Sequence, residues 1–82
     1  MLADDTLSRV REIMLDTFDL DDLEVDRETT AKAVDEWDSL SHIRLMVAVE
    51  RAFRVKFSNA EVEALRNVGD LVDAIDRKVA AR

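Results

Sequence analysis

The sequence predicts an all-α fold, a small four-helix bundle with a long first loop and a short third helix. Two features of composition favour it: proline is absent, and Gly69 is the only glycine, so few residues suit tight turns. In addition, apolar residues recur at helical spacing along the chain. With 82 residues, 48% of them hydrophobic, we expect one domain, 1–82, around one modest core.

Composition and charge exclude several functional classes. The chain has no cysteine, which rules out disulfides, thiolate metal sites and a cysteine nucleophile. The net charge is −7 and there is no basic stripe, so we expect no nucleic-acid partner. The N-terminal segment lacks the basic and apolar regions of a signal peptide, and no apolar run has transmembrane length. We therefore expect a cytoplasmic monomer without membrane insertion.

An apolar stripe at helical spacing predicts the first helix, which we expect to begin between Asp4 and Leu7. Acidic residues at this start suit the positive end of the helix dipole. The stripe consists of Leu7, Val10, Met14 and Phe18.

An acidic stretch with weaker periodicity, 19–38, follows the first helix. It contains nine carboxylates and only two basic residues. We interpret it as a long structured loop, a kind of segment that is often functional. An EF-hand loop that began at Asp19 would need glycine and glutamate where Glu24 and Thr30 stand, so we predict no metal site. The apolar residues expected to attach the loop to the core are Leu20, Leu23 and Val25.

The second helix is predicted over Ser39–Phe53, where apolar residues return to helical spacing. Its expected core positions are Leu45, Val49 and Phe53, with Met46 and Ala52 beside them.

Capping signals predict the last two helices. Ser58 and Glu61 fit the capping box of a short third helix, with Val62 and Leu65 on its apolar face. Asn67, followed three residues later by Asp70, marks the start of the fourth helix. The expected buried stripe of that helix is Val68, Leu71, Val72 and Ile75.

Ser39 is the main candidate functional residue, because it follows Asp38 at the point where the acidic loop becomes a helix. The unpaired N–H groups and the positive dipole end of a helix start suit a phosphate group. A plain helix cap is the alternative role for such a serine. Since Asp38 is able to cap the same helix, the hydroxyl of Ser39 would then be free and exposed.

Two neighbours of Ser39 also allow alternative interpretations. His42, the only histidine, lies on the same helical face, but no Gly-x-Ser-x-Gly turn or fixed third group accompanies a Ser–His pair. We interpret it as a surface histidine and predict that the protein has no catalytic residue and is not an enzyme. Trp37, the only tryptophan, is either a core anchor for the loop or part of a contact surface.

The segment that begins with Asp38-Ser39-Leu40 resembles acyl carrier proteins and the related peptidyl carrier domains. The serine of this motif carries a 4′-phosphopantetheine arm, donated by coenzyme A, in those proteins. The resemblance therefore implies an acyl-carrier-protein-like bundle with Ser39 as the attachment site. The likeness spans nearly the whole chain, through Ile43, Leu45, Met46, Val49, Glu50 and Phe53, then through 57–61 and 68–75.

The resemblance implies a freestanding acyl carrier that holds acyl intermediates as thioesters on the arm and shuttles them between enzymes. Its partners would be a phosphopantetheinyl transferase, an acyl-loading or adenylating enzyme, and acyl-processing enzymes. One alternative is an aminoacyl or peptidyl carrier paired with an adenylating enzyme. Another, of a different class, is an acidic helical interaction module without a prosthetic group.

Carrier proteins of fatty-acid synthesis usually have a glycine where this chain has Glu36, and a second helix richer in acids. These departures imply a specialised lipid or secondary-metabolite pathway. We expect acids of the loop to steer partners, and apolar side chains nearby to make the contact. The expected docking residues are Asp35, Glu36, Trp37, Asp38, Leu40 and Val47.

Overall fold

The computed structural model describes the backbone of residues 3–81 and the side chains of residues 5–81. This part of the chain contains no strand and four α-helices: α1 (Ala3–Phe18), α2 (Ser39–Phe53), α3 (Asn59–Glu63) and α4 (Val68–Ala81). The all-α prediction is therefore confirmed, including the long first loop and the short third helix. None of the helices described is both long and apolar enough to cross a membrane.

Two details of the helix boundaries differ from the prediction. Within the described residues the first helix already includes Ala3, one residue before the predicted range. Within the long loop, Ala31–Ala33 form a single turn of 3-10 helix that the sequence analysis did not predict.

Local side chains explain where α3 and α4 begin. The predicted capping box is present at α3, where Glu61 N donates to Ser58 Oγ at 3.1 Å and Ser58 N donates to Glu61 Oε1 at 2.7 Å. Lys78 also donates to Glu61, and this hydrogen bond is the main cause of the lowered pKa of that carboxyl. Asn67 Oδ1 accepts from Asp70 N at 2.8 Å, which confirms the predicted cap of α4.

The core lies where α1 packs against both α2 and α4. The predicted stripes supply most of its buried residues, and Val34 and Trp37 of the loop add to them. Leu7 and Phe53 pack at its edge and are only partly buried. Ala52 was predicted beside the α2 stripe but is exposed, because its short side chain faces an open groove between α1 and α2. The fully buried side chains are Val10, Met14, Leu45, Val49, Val68, Leu71, Val72 and Ile75.

The first half of the long loop is attached to α1. As predicted, Leu20, Leu23 and Val25 pack against the core. Arg11 of α1 donates from Nε to the backbone oxygen of Leu23 at 2.8 Å, and its guanidinium pairs with Asp22. The loop is therefore held by main-chain and side-chain contacts and follows a defined path.

The middle of the loop is attached to the start of α4. Val68 N donates to Thr29 O at 2.9 Å, and Gly69 N donates to Arg27 O at 2.7 Å. The guanidinium of Arg27 also contacts both carboxylate oxygens of Asp73, at 2.8 and 2.9 Å. Two N–H groups that a helix start leaves unpaired are thus satisfied by carbonyl groups of the loop.

Gly69 allows this close approach, because a Cβ at this position would lie 2.8 Å from the carbonyl oxygen of Arg27. Alanine is normally better than glycine in a helix by about 1 kcal/mol. Here the loop backbone would have to move and lose its hydrogen bond to α4. We therefore expect Gly69→Ala to lower the free energy of unfolding, measured by urea denaturation.

The matched control is Ala52→Gly, which exchanges the same two residue types at an exposed position of α2. It should cost about 1 kcal/mol through helix propensity alone. Stabilisation by Gly69→Ala would contradict the tight packing of the loop on α4.

Candidate functional site

The start of α2 is capped by Asp38, whose backbone is extended, with φ −101° and ψ −172°. Its Oδ1 accepts from Ser41 N at 2.9 Å. This backbone hydrogen bond is the largest of several contacts that lower the pKa of the Asp38 carboxyl. The carboxylate is therefore held in its charged form at the positive end of the helix, where a negative charge is stabilised.

Ser39, the first residue of α2, is exposed. Its hydroxyl makes no hydrogen bond with any residue of the described part of the chain. The interpretation of Ser39 as a plain helix cap is therefore wrong, because Asp38 performs that role. A free hydroxyl group is left beside the N-terminal N–H groups of α2.

Trp37 is a core anchor, with only 6% of its surface exposed. Its ring lies near Phe18, with 6.3 Å between ring centroids, and Nε1 donates to His42 Nδ1 at 3.0 Å. The prediction that Trp37 supplies an exposed contact for partners is wrong, because the ring packs inward and its indole N–H is bonded to His42.

His42, predicted as a surface histidine, is partly buried by this contact with Trp37. No hydrogen bond joins Ser39 to His42 within residues 5–81. A nucleophile needs such a bond to a base that is itself oriented. The imidazole therefore holds the end of the loop against α2 and does not activate Ser39.

A groove of about 500 Å³ lies beside Ser39. Three segments form it: the end of the long loop, the first turn of α2, and α3 with the residues that follow. Lys32 and Arg66 contribute positive charge, and Arg66 is paired with Asp70 at 3.0 Å, whereas Lys32 has no ion-pair partner in the described residues. The lining residues are Ala31, Lys32, Trp37, Asp38, Ser39, His42, Val62, Glu63, Leu65 and Arg66.

The exposed face of α2 carries an apolar stripe. Leu40 and Val47, two of the predicted docking residues, are 59% and 44% exposed. Ile43, which was not predicted as a docking residue, is 60% exposed and lies between them. The spacing of these three residues is i, i+3, i+7, which is a signal that was available in the sequence.

The acids expected to steer partners lie together before α2. Asp35 and Glu36 are exposed in a turn that Trp37 N closes by donating to Val34 O at 3.0 Å, and the capping carboxylate of Asp38 follows. Within the described residues, no group of histidine, aspartate and glutamate side chains is arranged to hold a metal ion.

Comparison with known proteins identifies the family. A family model described as "Phosphopantetheine attachment site" matches residues 8–75, which is most of the chain. The chain is 33% identical over 81 residues to the acyl carrier protein of Thermosynechococcus vestitus, covering 99% of this chain and 100% of that protein. The chain belongs to the acyl carrier protein family. It is 32% identical over 78 residues to the acyl carrier protein of Thermotoga maritima, covering 93% and 94%.

A solved structure of the family has the same fold. The solution NMR structure of holo acyl carrier protein from Geobacter metallireducens matches with a TM-score of 0.87 and 43% sequence identity. The match covers 93% of this chain and 87% of that one. As an acyl carrier protein, the chain carries phosphopantetheine and is a carrier rather than an enzyme. Its partners are in general a phosphopantetheinyl transferase and acyl-processing enzymes.

The hydrogen bond between Trp37 and His42 is open to a direct test. Trp37→Phe removes the donor but keeps an aromatic ring, and His42→Ala removes the acceptor. We expect a coupling energy of about 1 kcal/mol between the two substitutions, the net contribution of a neutral hydrogen bond. Urea unfolding of the wild type, the single variants and the double variant measures it.

As a control, Trp37→Phe is combined with Arg77→Ala, since Arg77 is exposed on α4. That pair should be additive within about 0.5 kcal/mol. Additivity of Trp37→Phe and His42→Ala would show that the hydrogen bond contributes nothing to the position of the loop.

Proposed function

We propose that Ser39 is the residue to which the 4′-phosphopantetheine arm is attached. The observation that carries the proposal is the exposed hydroxyl of Ser39, which has no partner in the described chain while Asp38 caps the helix. The first N–H groups and the dipole of α2 favour a phosphodiester at this point. The groove beside the hydroxyl leaves room for a long substituent.

The attachment reaction needs a nucleophilic oxygen that a transferase is able to reach. Ser39 Oγ attacks the β-phosphorus of coenzyme A, and a new P–O bond forms. The phosphoanhydride bond breaks, 3′,5′-adenosine bisphosphate leaves, and the hydroxyl proton passes to a base of the transferase. The chain contributes the position and the freedom of the hydroxyl group. The bound group then supplies a terminal thiol that holds acyl groups as thioesters.

The groove also fits the chemistry of the arm. Lys32, which has no ion-pair partner in the described residues, would face the negative phosphodiester. Val62 and Leu65 offer an apolar wall to the uncharged remainder of the arm. We infer that the arm lies in this groove when it is not held by a partner.

We further propose that the acyl groups belong to a specialised lipid or secondary-metabolite pathway. The support is that Glu36 and Trp37 stand where fatty-acid carriers usually have small residues, and that Trp37 is built into the core beside the site. The cytoplasmic location and the monomeric state stay predictions from the sequence.

Partner enzymes are proposed to dock on the surface around Ser39. The acids Asp35, Glu36 and Asp38 provide steering by exposed charge, which acts mainly on the association rate. Apolar contact comes from the exposed stripe of α2, which adds Ile43 to the predicted Leu40 and Val47.

The attachment site is tested by incubation with coenzyme A and a broad phosphopantetheinyl transferase. Intact-mass spectrometry should show the addition of one phosphopantetheine group to the wild type and none to Ser39→Ala. The matched control is Ser41→Ala, two residues further along α2, which should be modified like the wild type. Modification of Ser39→Ala, or failure of the wild type with several transferases, would refute the assignment.

The steering role of the loop is tested by reversing its charge. Asp35→Lys combined with Glu36→Lys should slow modification by the transferase at low salt and flatten the dependence of the rate on salt. Stopped-time mass spectrometry at several ionic strengths gives both quantities.

The control for this variant is Asp21→Lys with Glu24→Lys, which makes the same change in net charge at exposed positions earlier in the loop. Equal rates and equal salt slopes for the two double variants would show that net charge, and not the position of Asp35 and Glu36, governs the encounter.

A further inference from the structure

The second helix and the turn after it have a charge opposite to that of the rest of the molecule. Residues 39–56 contain four lysine or arginine residues and one carboxylate, a net charge of +3 within a chain of net charge −7. The remaining residues therefore carry a net charge of −10. The four basic residues are Arg44, Arg51, Arg54 and Lys56.

The single acid in this segment does not neutralise Arg44 or Arg51. Glu50 is partly buried, and its Oε2 accepts from Phe57 N at 2.8 Å. Arg44 and Arg51 are exposed, and neither forms an ion pair with a carboxylate in the described residues. Asp16 of α1 faces the same groove as these two arginines but lies beyond ion-pair distance of both.

The cations adjoin the exposed apolar stripe. A groove of about 640 Å³ between α1 and α2 is lined by Ile43 and Val47 together with Arg44 and Arg51. A second groove, of about 420 Å³, lies on the other side of Val47 and includes Arg51, Arg54 and Lys56. Val47 therefore stands between two grooves that both contain positive charge.

We propose that this face of α2, defined as Ile43, Arg44, Val47 and Arg51, binds an acidic and partly apolar surface of an enzyme that acts on the carried acyl group. The inference rests on the proposed function of Ser39 and specifies the partner of that site. The partner's surface would be basic opposite the loop acids before Ser39 and acidic opposite Arg44 and Arg51. Because this chain has both an acidic and a basic region, complementary charges on the partner would fix its orientation as well as attract it.

The distribution of charge favours a protein partner over the other anionic surfaces. A lipid bilayer or a nucleic acid is negative over a wide area, and would be repelled by the exposed acids Asp35, Glu36 and Asp38, which directly precede α2. A protein surface is able to alternate in sign over the length of one helix. A second copy of this chain is the remaining possible occupant of this face, and the experiments below distinguish it from a partner enzyme.

The first experiment identifies the surface that meets α2. Holo protein with a photo-crosslinking amino acid in place of Val47 is irradiated in an extract of cells that express the chain. The crosslinked residues are then located by mass spectrometry. We expect them to lie on an acyl-processing enzyme, in a segment whose neighbouring exposed side chains are aspartate or glutamate. A basic segment, a crosslink to this chain itself, or no enzyme at all would overturn the proposal.

The second experiment measures acyl loading or processing by the purified crosslinked enzyme. Arg51→Glu should lower the rate about tenfold at low salt, with a smaller difference at high salt, because steering is screened. Arg77→Glu on α4 changes the net charge equally and should leave the rate near that of the wild type. Replacing the enzyme's acidic residue that lies opposite position 51 with a basic residue should restore the rate of Arg51→Glu.

Two further measurements separate the possible failures. Modification of Arg51→Glu by the transferase shows whether Ser39 still accepts the arm, so loss of loading with normal modification concerns the partner surface alone.

Flotation with vesicles of phosphatidylglycerol tests whether this face of α2 binds a membrane. Sedimentation at several protein concentrations tests whether it binds a second copy of the chain. If the wild type binds vesicles or forms a dimer, and Arg51→Glu does not, the proposal is overturned. Equal loading rates for Arg51→Glu and Arg77→Glu would also overturn it.

Discussion

The position of the site depends on how the long loop is attached to the helices at both of its ends and in its middle. The carbonyl groups of Arg27 and Thr29 complete the first turn of α4, so the loop and this helix satisfy each other's backbone groups. Gly69 permits the contact, and the pair of Arg27 with Asp73 lies beside it. Because Trp37 then enters the core, the residues that precede Ser39 have little freedom to shift. The attached loop thus defines where α2 begins and where its first residue, Ser39, presents its hydroxyl group.

At the start of α2, capping the helix and providing a hydroxyl group are the roles of two different residues, Asp38 and Ser39. Asp38 supplies the oxygen that the helix needs, and its lowered pKa reflects the hydrogen bond from Ser41 N. The Ser39 hydroxyl is therefore available for chemistry without loss of the cap. The phosphodiester proposed on Ser39 would add a second negative charge next to the first, and Lys32, which lines the same groove, would offset part of the repulsion between them.

Most features that depend on neighbours in sequence were predicted, although the sequence left open whether Asp38 or Ser39 caps α2. The caps at Asp38, Ser58 and Asn67 follow from short-range hydrogen bonds, and the core stripes follow from helical spacing. The sequence left the burial of Trp37 open between a core anchor and a contact surface, and it did not predict the contact of Arg27 with Asp73, because both join residues that come together only in the folded chain. The groove beside Ser39 is assembled from three separate segments and has no pattern of its own in the sequence. Ile43 was missed although its spacing from Leu40 and Val47 contained the signal.

The place of Trp37 also gives the molecule a built-in optical reporter. It is the only tryptophan, and the chain has no tyrosine, so nearly all of its near-ultraviolet fluorescence arises from one indole. That indole lines the groove beside Ser39, is bonded to His42, and lies near Phe18. Emission intensity and wavelength should therefore respond to changes in the groove that Trp37 and Ser39 share, without any added label. We expect arm attachment, acyl loading and partner release each to change this signal in real time.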